Sequence, residues 1–230
     1  MNLYDRYIKN GSLGSTPKGI FQYIGSLLTN LMIKIFIGNI KIIDLSINKS
    51  EEPILYVISH GSWKDLFVIK KVLNNTRIVA AQSVMKFLGL GFILGPFLGC
   101  ISTAPGKNNA AIKSGITILK GRENLAICPE GWASLDGKIK TFKTGAARIA
   151  LGAETKVVPV FIGYGLYQHT WFLKLNFLLQ VILNAINPAQ RSNAYVIIGE
   201  SFTLSNDVKE STKKMQSRVE DLQYYFNVVR

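Results

Sequence analysis

Short, strongly apolar runs recur along this chain, each closed by polar or turn-forming residues. Pro53-Ile54-Leu55-Tyr56-Val57-Ile58 ends at Ser59-His60, and Leu125-Ala126-Ile127-Cys128 ends at Pro129-Glu130-Gly131. Val157-Val158-Pro159-Val160-Phe161-Ile162 has no polar side chain, and residues 195–198 form a further run. Continuous apolar runs of this length suit strands covered on both faces, the mark of a parallel sheet. Strands are also predicted over 39–47, 77–80 and 100–103. Between them the spacing predicts helices over 63–73, 108–120, 144–152 and 207–226. Ser62 is the expected N-cap of the first, and Asp207 or Ser205 of the last. Strands alternating with helices define an α/β fold with a mixed, mainly parallel sheet flanked by helices. The 230 residues suffice for one sizeable core and are few for two.

Residues 1–18 read as irregular, with Gly11, Gly14 and Pro17 as breakers. In residues 20–37, Ile20, Ile24, Leu27, Leu28, Leu31 and Ile35 recur at helical spacing, with Gln22, Ser26, Asn30 and Lys34 largely opposite. A helix of about 18 residues spans about 27 Å, marginal for a bilayer. Lys34 and the internal polar residues favour an amphipathic helix lying in a membrane interface. A helix packed on the domain's own core and a single span are the alternatives. Residues 166–187 admit a second apolar helix. No cleavable leader is evident at the N-terminus.

Lysine and arginine number 27 against 14 acids, a formal net charge of +13. Such a surplus concerns partners rather than fold. No nucleic-acid motif or dense basic run with interleaved aromatics is present, so nucleic acid is not the expected partner. A mean hydropathy of +0.21 with a pI near 9.7 fits an anionic membrane surface better. Cys100 and Cys128 lie in apolar stretches and read as buried free thiols, without zinc-type spacing.

Four segments carry chemistry. In Ser59-His60-Gly61-Ser62-Trp63-Lys64-Asp65, a histidine sits at the end of an apolar run. The carboxyl ends of strands in an α/β sheet are where ligands bind. Asp65, in the following helix, can turn back onto one imidazole nitrogen and leave the other free to take a proton from a hydroxyl. The competing reading is a histidine at a helix start with an ordinary first-turn acid. Lys64 is expected to face solvent. In Cys128-Pro129-Glu130-Gly131-Trp132-Ala133-Ser134, Glu130 can accept hydrogen bonds from a polyol or anchor a cation, and Gly131 permits close backbone approach. A plain tight turn is the alternative. Lys143, in Thr141-Phe142-Lys143-Thr144-Gly145, stands at a helix start where anions are favoured. The run 157–162 shapes a wall. His169, in a polar-aromatic turn, reads as surface.

In this order the four segments resemble the glycerolipid acyltransferase superfamily over roughly residues 54–163, with weaker similarity to about residue 203. The resemblance implies an O-acyltransferase domain over 39–230 preceded by a membrane-associating segment over 1–38. It implies His60 as general base and Asp65 as its orienting partner. Gly61, Ser62, Lys107, Glu130, Gly131, Ser134 and Lys143 become the substrate-binding candidates, with backbone amides near Gly61 holding the developing oxyanion. No metal or cofactor is implied. An acyl-CoA or acyl carrier protein is the co-substrate, a lysoglycerolipid such as 1-acyl-glycerol-3-phosphate the acceptor and phosphatidic acid the product. The cytoplasmic face of a membrane is the implied location. The apolar run 87–98 suits either an acyl tunnel or core packing. The chain departs from the family pattern where an arginine is usual: residues 99–107 offer only Lys107, and Trp132-Ala133 follow Glu130-Gly131. Arginine grips phosphate with a planar fork that lysine lacks. Those departures leave two alternatives open: a non-catalytic lipid-binding membrane protein of the same fold, or an acyltransferase for a different hydroxylated lipid.

Overall fold

The computed structural model describes residues 19–46, 52–73, 75–81, 95, 97–103, 108–134, 137–164 and 193–229. Among these, the strands are β1 (Ile40–Asp44), β2 (Ile54–Ile58), β3 (Thr76–Ala81), β4 (Cys100–Thr103), β5 (Asn124–Ile127), β6 (Lys156–Tyr164) and β7 (Ala194–Ile198). They form one sheet in the order β1-β7-β6-β2-β5-β3-β4. Every pairing is parallel except β6 with β7. The helices are α1 (Ile20–Phe36), α2 (Asp65–Val72), α3 (Asn108–Lys120), α4 (Gly145–Ala153) and α5 (Val208–Val229). This is the mainly parallel α/β architecture expected from the alternating runs.

Both faces of the sheet are covered, which is why its central strands are apolar throughout. In β2, Ile54 and Ile58 face one core with Val68, Ile69, Val158 and Val160. Leu55 and Val57 face the other, with Leu125, Ile149, Ala147, Met215 and Val219. The period-2 alternation of strand side chains sends successive residues to opposite layers. Each fully buried leucine or valine there contributes roughly 1.5–3 kcal/mol.

α1 packs against α2, and Phe36 meets Trp63 edge-on at 5.2 Å between ring centroids. Its buried residues are Gly25, Thr29, Ile33 and Phe36. A Cβ at Gly25 would lie 2.0 Å from the Phe97 carbonyl oxygen, so only glycine permits this approach. Of the residues whose spacing predicted the helix, Ile20, Ile24, Leu27 and Leu31 stay exposed, while Leu28 is half-buried and Ile35 packs against the core. One face of the helix thus packs on the domain's own core and the other is open to the surroundings. No helix among the described residues is long and apolar enough to cross a membrane.

Two local expectations are corrected. α2 begins at Asp65 rather than at residue 63, although the Ser62 hydroxyl does accept the Lys64 N–H, at 3.3 Å. The reason is Asp65, whose carboxylate folds back and takes the amides of residues 61 and 62. Lys64, expected in solvent, is 1% exposed. At the other end of the chain Asp207 does cap α5, accepting the Glu210 N–H at 2.7 Å. Lys107, His169, residues 166–187 and most of the run 87–98 lie outside the described residues.

Candidate active site

Three strands that are neighbours in the sheet deliver the site from their carboxyl ends. β2 is flanked by β5 and β6, and both run parallel to it. Their last residues therefore emerge on the same edge: His60 after β2, Cys128 to Glu130 after β5, and Tyr164 at the end of β6. This is the edge where parallel α/β sheets bind ligands.

His60 and Asp65 meet there. Nδ1 of His60 lies 2.9 Å from Oδ2 of Asp65. The histidine side chain is 26% exposed and the aspartate 1%. The imidazole is thus anchored at its back and reachable at its front. Asp65 Oδ2 also accepts the Gly61 and Ser62 N–H groups, each at 2.9 Å. The buried side chain thus has the acceptor sites of Oδ2 filled by donors of its own loop.

Glu130 is 4% exposed, and its two oxygens bind the chain itself. Oε1 accepts the His60 N–H at 2.7 Å and Oε2 accepts the Lys140 N–H at 2.9 Å. The Ser134 N–H donates to the His60 carbonyl at 2.6 Å. The backbone of His60 is therefore clamped on both sides by the segment that follows β5. Each Glu130 oxygen thus takes a backbone amide, a positioning role the sequence did not suggest. The expected oxyanion donors are corrected: the amides of His60, Gly61 and Ser62 are already directed at carboxylates.

Gly131 adopts φ +79, and a Cβ there would come within 2.4 Å of the Lys143 Nζ. The glycine lets the turn curl left-handed and lets Lys143 lie across it. Lys143 is exposed just before α4, beside the turn that holds His60. Trp132, in the same turn, is 68% exposed. Ser134 is 5% exposed and joins the site through its backbone.

The charges act together. Burial lowers the His60 pKa, but the Asp65 hydrogen bond and charge, aided by Glu130, outweigh it and the net shift is upward. Burial raises the Glu130 pKa despite its two backbone donors. The Cys128 thiol is pushed well up, by burial first and then by the Asp65 and Glu130 charges. A thiol so disfavoured as thiolate is a poor nucleophile. Lys64 is pushed down to about 8 by burial, against the pull of Asp65. Among the described residues its Nζ meets no hydrogen-bonding partner.

One participant escaped the sequence reading. The Tyr164 hydroxyl donates to Asp65 Oδ1 at 2.5 Å. The signal was faint: a tyrosine two residues past an apolar run, on the strand that pairs with the histidine's own.

Comparisons with known proteins agree with this architecture. A family model described as Acyltransferase matches residues 39–163. The chloroplast 1-acyl-sn-glycerol-3-phosphate acyltransferases of Arabidopsis thaliana and Brassica napus are each 24% identical over 114 residues, 48% of this chain. Those 114 residues span 32% of the Arabidopsis protein and 33% of the Brassica one, about a third of each relative's length. The crystal structure of the 1-acyl-sn-glycerophosphate acyltransferase of Thermotoga maritima aligns at a TM-score of 0.57 with 18% identity, covering 87% of this chain and 76% of that one. The matched family segment takes in β2 with its His60–Asp65 pair and β6 as far as Gly163, more than half of the sequence; this chain belongs to the acyltransferase family.

Proposed function

We propose that the protein transfers a fatty acyl group from a thioester to a hydroxyl of a lysoglycerolipid at a membrane surface. 1-Acyl-glycerol-3-phosphate is the first acceptor to test, with phosphatidic acid as product. The observation that carries this reading is the 2.9 Å contact of His60 Nδ1 with a buried Asp65 while the histidine stays partly open to solvent.

In this reading Asp65 holds Nδ1 in its protonated tautomer, so Nε2 carries the lone pair. Nε2 takes the proton of the acceptor hydroxyl as its oxygen attacks the thioester carbonyl. The tetrahedral adduct collapses, the C–S bond breaks, and the imidazolium returns the proton to the departing thiolate. Asp65 stabilises the transient imidazolium and stays ionised. Glu130 and Ser134 act on the His60 backbone as positioning groups. Lys143, at the rim of the same turn, supplies a point charge for an acceptor or donor phosphate. The exposed apolar face of α1 lies on the lipid surface from which the acceptor comes.

A radiolabelled acyl-CoA and acyl carrier protein, each offered to a panel of lysolipids and read by lipid chromatography, tests the reading. Acyl transfer to at least one acceptor is expected, with His60→Ala and Asp65→Asn reducing turnover by about 10²–10⁴, the usual contribution of a general base. Wild-type turnover in a folded His60→Ala protein overturns it.

A further inference from the structure

We infer that Tyr164 is a positioning residue that sets the basicity of His60 through Asp65. The inference rests on the His60–Asp65 reading above and extends it to a third side chain.

The two oxygens of Asp65 share their donors unevenly. Oδ2 takes His60 Nδ1, Gly61 N and Ser62 N. Oδ1 takes the Tyr164 hydroxyl at 2.5 Å. The three donors to Oδ2 come from the motif's own loop and follow from the chain turning back on itself. The donor to Oδ1 comes from β6, ninety-nine residues later in sequence. Tyr164 reaches it because β6 runs parallel to β2 in register, Ile58 opposite Val160. The end of β6 therefore projects past the end of β2, over the start of α2.

The electrostatic consequence has a definite sign. A phenol donating to Oδ1 draws negative charge toward that oxygen and away from the one facing the imidazole. Asp65 then holds the His60 imidazolium less tightly. Without the phenol, the charge concentrates on Oδ2, the imidazolium is favoured, and the base stays protonated to higher pH. The other titratable and charged groups facing this pair are Glu130 and Lys140 around His60, and Lys64 and Cys128 around Asp65. None of them donates a hydrogen bond to Asp65. Burial and the Asp65 charge hold the phenol's pKa well above its usual value, so it stays a proton donor across the working range.

The test is a titration of His60 by NMR in the full chain carrying ¹³C-histidine. The sequence has two histidines, so a His169→Gln background leaves a single signal. Tyr164→Phe removes the donor and keeps the ring. The His60 midpoint is expected to rise by about half a unit or more. Replacing Tyr164 with 3-fluorotyrosine makes a stronger donor and moves the midpoint down. In turnover, Tyr164→Phe loses rate at neutral pH and recovers toward wild type as pH rises, with KM unchanged. An unmoved midpoint in both variants overturns the inference. That failure is separable from failure of the catalytic reading, which is decided by the activity of His60→Ala and not by the midpoint.

Discussion

In the proposed mechanism His60 is the base, and its pKa is set by opposing effects. Burial pulls it down, and the carboxylates of Asp65 and Glu130 pull it up further. Only neutral imidazole can take a proton from a hydroxyl. Activity is therefore present above the His60 pKa and lost as pH falls through it. Because that pKa is raised, the acid limb of kcat/KM is expected above 6.5, the ordinary histidine value. A profile whose acid limb lies below 6.5 contradicts this. Lys64 offers a second residue-scale prediction. Its ammonium is 1% exposed and its pKa is lowered to about 8 from 10.5. The unfolded chain binds that proton more tightly than the folded one, so stability attributable to Lys64 rises as pH climbs from about 8 to 10.5. Below that window the buried charge costs about 3 kcal/mol. Lys64→Met, which keeps the length and removes the charge, is expected to raise the urea midpoint at pH 7, and the gain shrinks toward pH 10. A destabilised Lys64→Met protein shows instead that the amine is held by groups beyond those described.

At the scale of elements, α1 shows how one helix serves two surroundings. The face that packs on the domain is made of Gly25, Thr29, Ile33 and Phe36, with the Thr29 hydroxyl returned to the Gly25 carbonyl at 2.7 Å. The outward side exposes Ile20, Ile24, Leu27 and Leu31. Gly25→Leu would drive a side chain into the Phe97 carbonyl 2.0 Å from the first added atom. Backbone cannot yield as a flexible side chain does, so a loss of about 1–3 kcal/mol is expected by chemical denaturation. An unchanged midpoint would show that α1 is not held against residue 97. The elements around the site were legible as types, since apolar runs and helical spacing identify them. Their junctions were less so. Ser62 has the chemistry of a cap and its hydroxyl takes the Lys64 N–H, yet the helix starts only at Asp65, whose side chain ties the Gly61 and Ser62 amides back to it.

At the scale of the molecule, charge and exposed apolar surface combine. The chain carries +13, while Ile20, Ile24, Leu27 and Leu31 project from α1 into solvent. Burying each such side chain in lipid contributes roughly 1.5–3 kcal/mol. Leu27→Asp with Leu31→Asp is therefore expected to weaken flotation with anionic vesicles at least tenfold while the domain stays folded. Raising salt weakens wild-type binding only in part, since the apolar share is not screened. Equal flotation of variant and wild type would place the lipid contact elsewhere.

The sequence by itself was enough for the α/β class, the mainly parallel sheet and the placement of His60 and Glu130 at strand ends, because those depend on local patterns of apolar residues and turns. The contact of His60 with Asp65 was also within reach, since five residues separate them and a short turn can close that distance. What only the tertiary structure decided is which distant groups converge. Glu130 reaches the His60 amide across seventy residues and Tyr164 reaches Asp65 across ninety-nine. Those meetings follow from strand order, with β2 lying between β5 and β6. Strand order is set by how whole layers pack, which no local stretch of sequence records. The same holds for Lys64, whose burial depends on what covers it rather than on its neighbours in the chain.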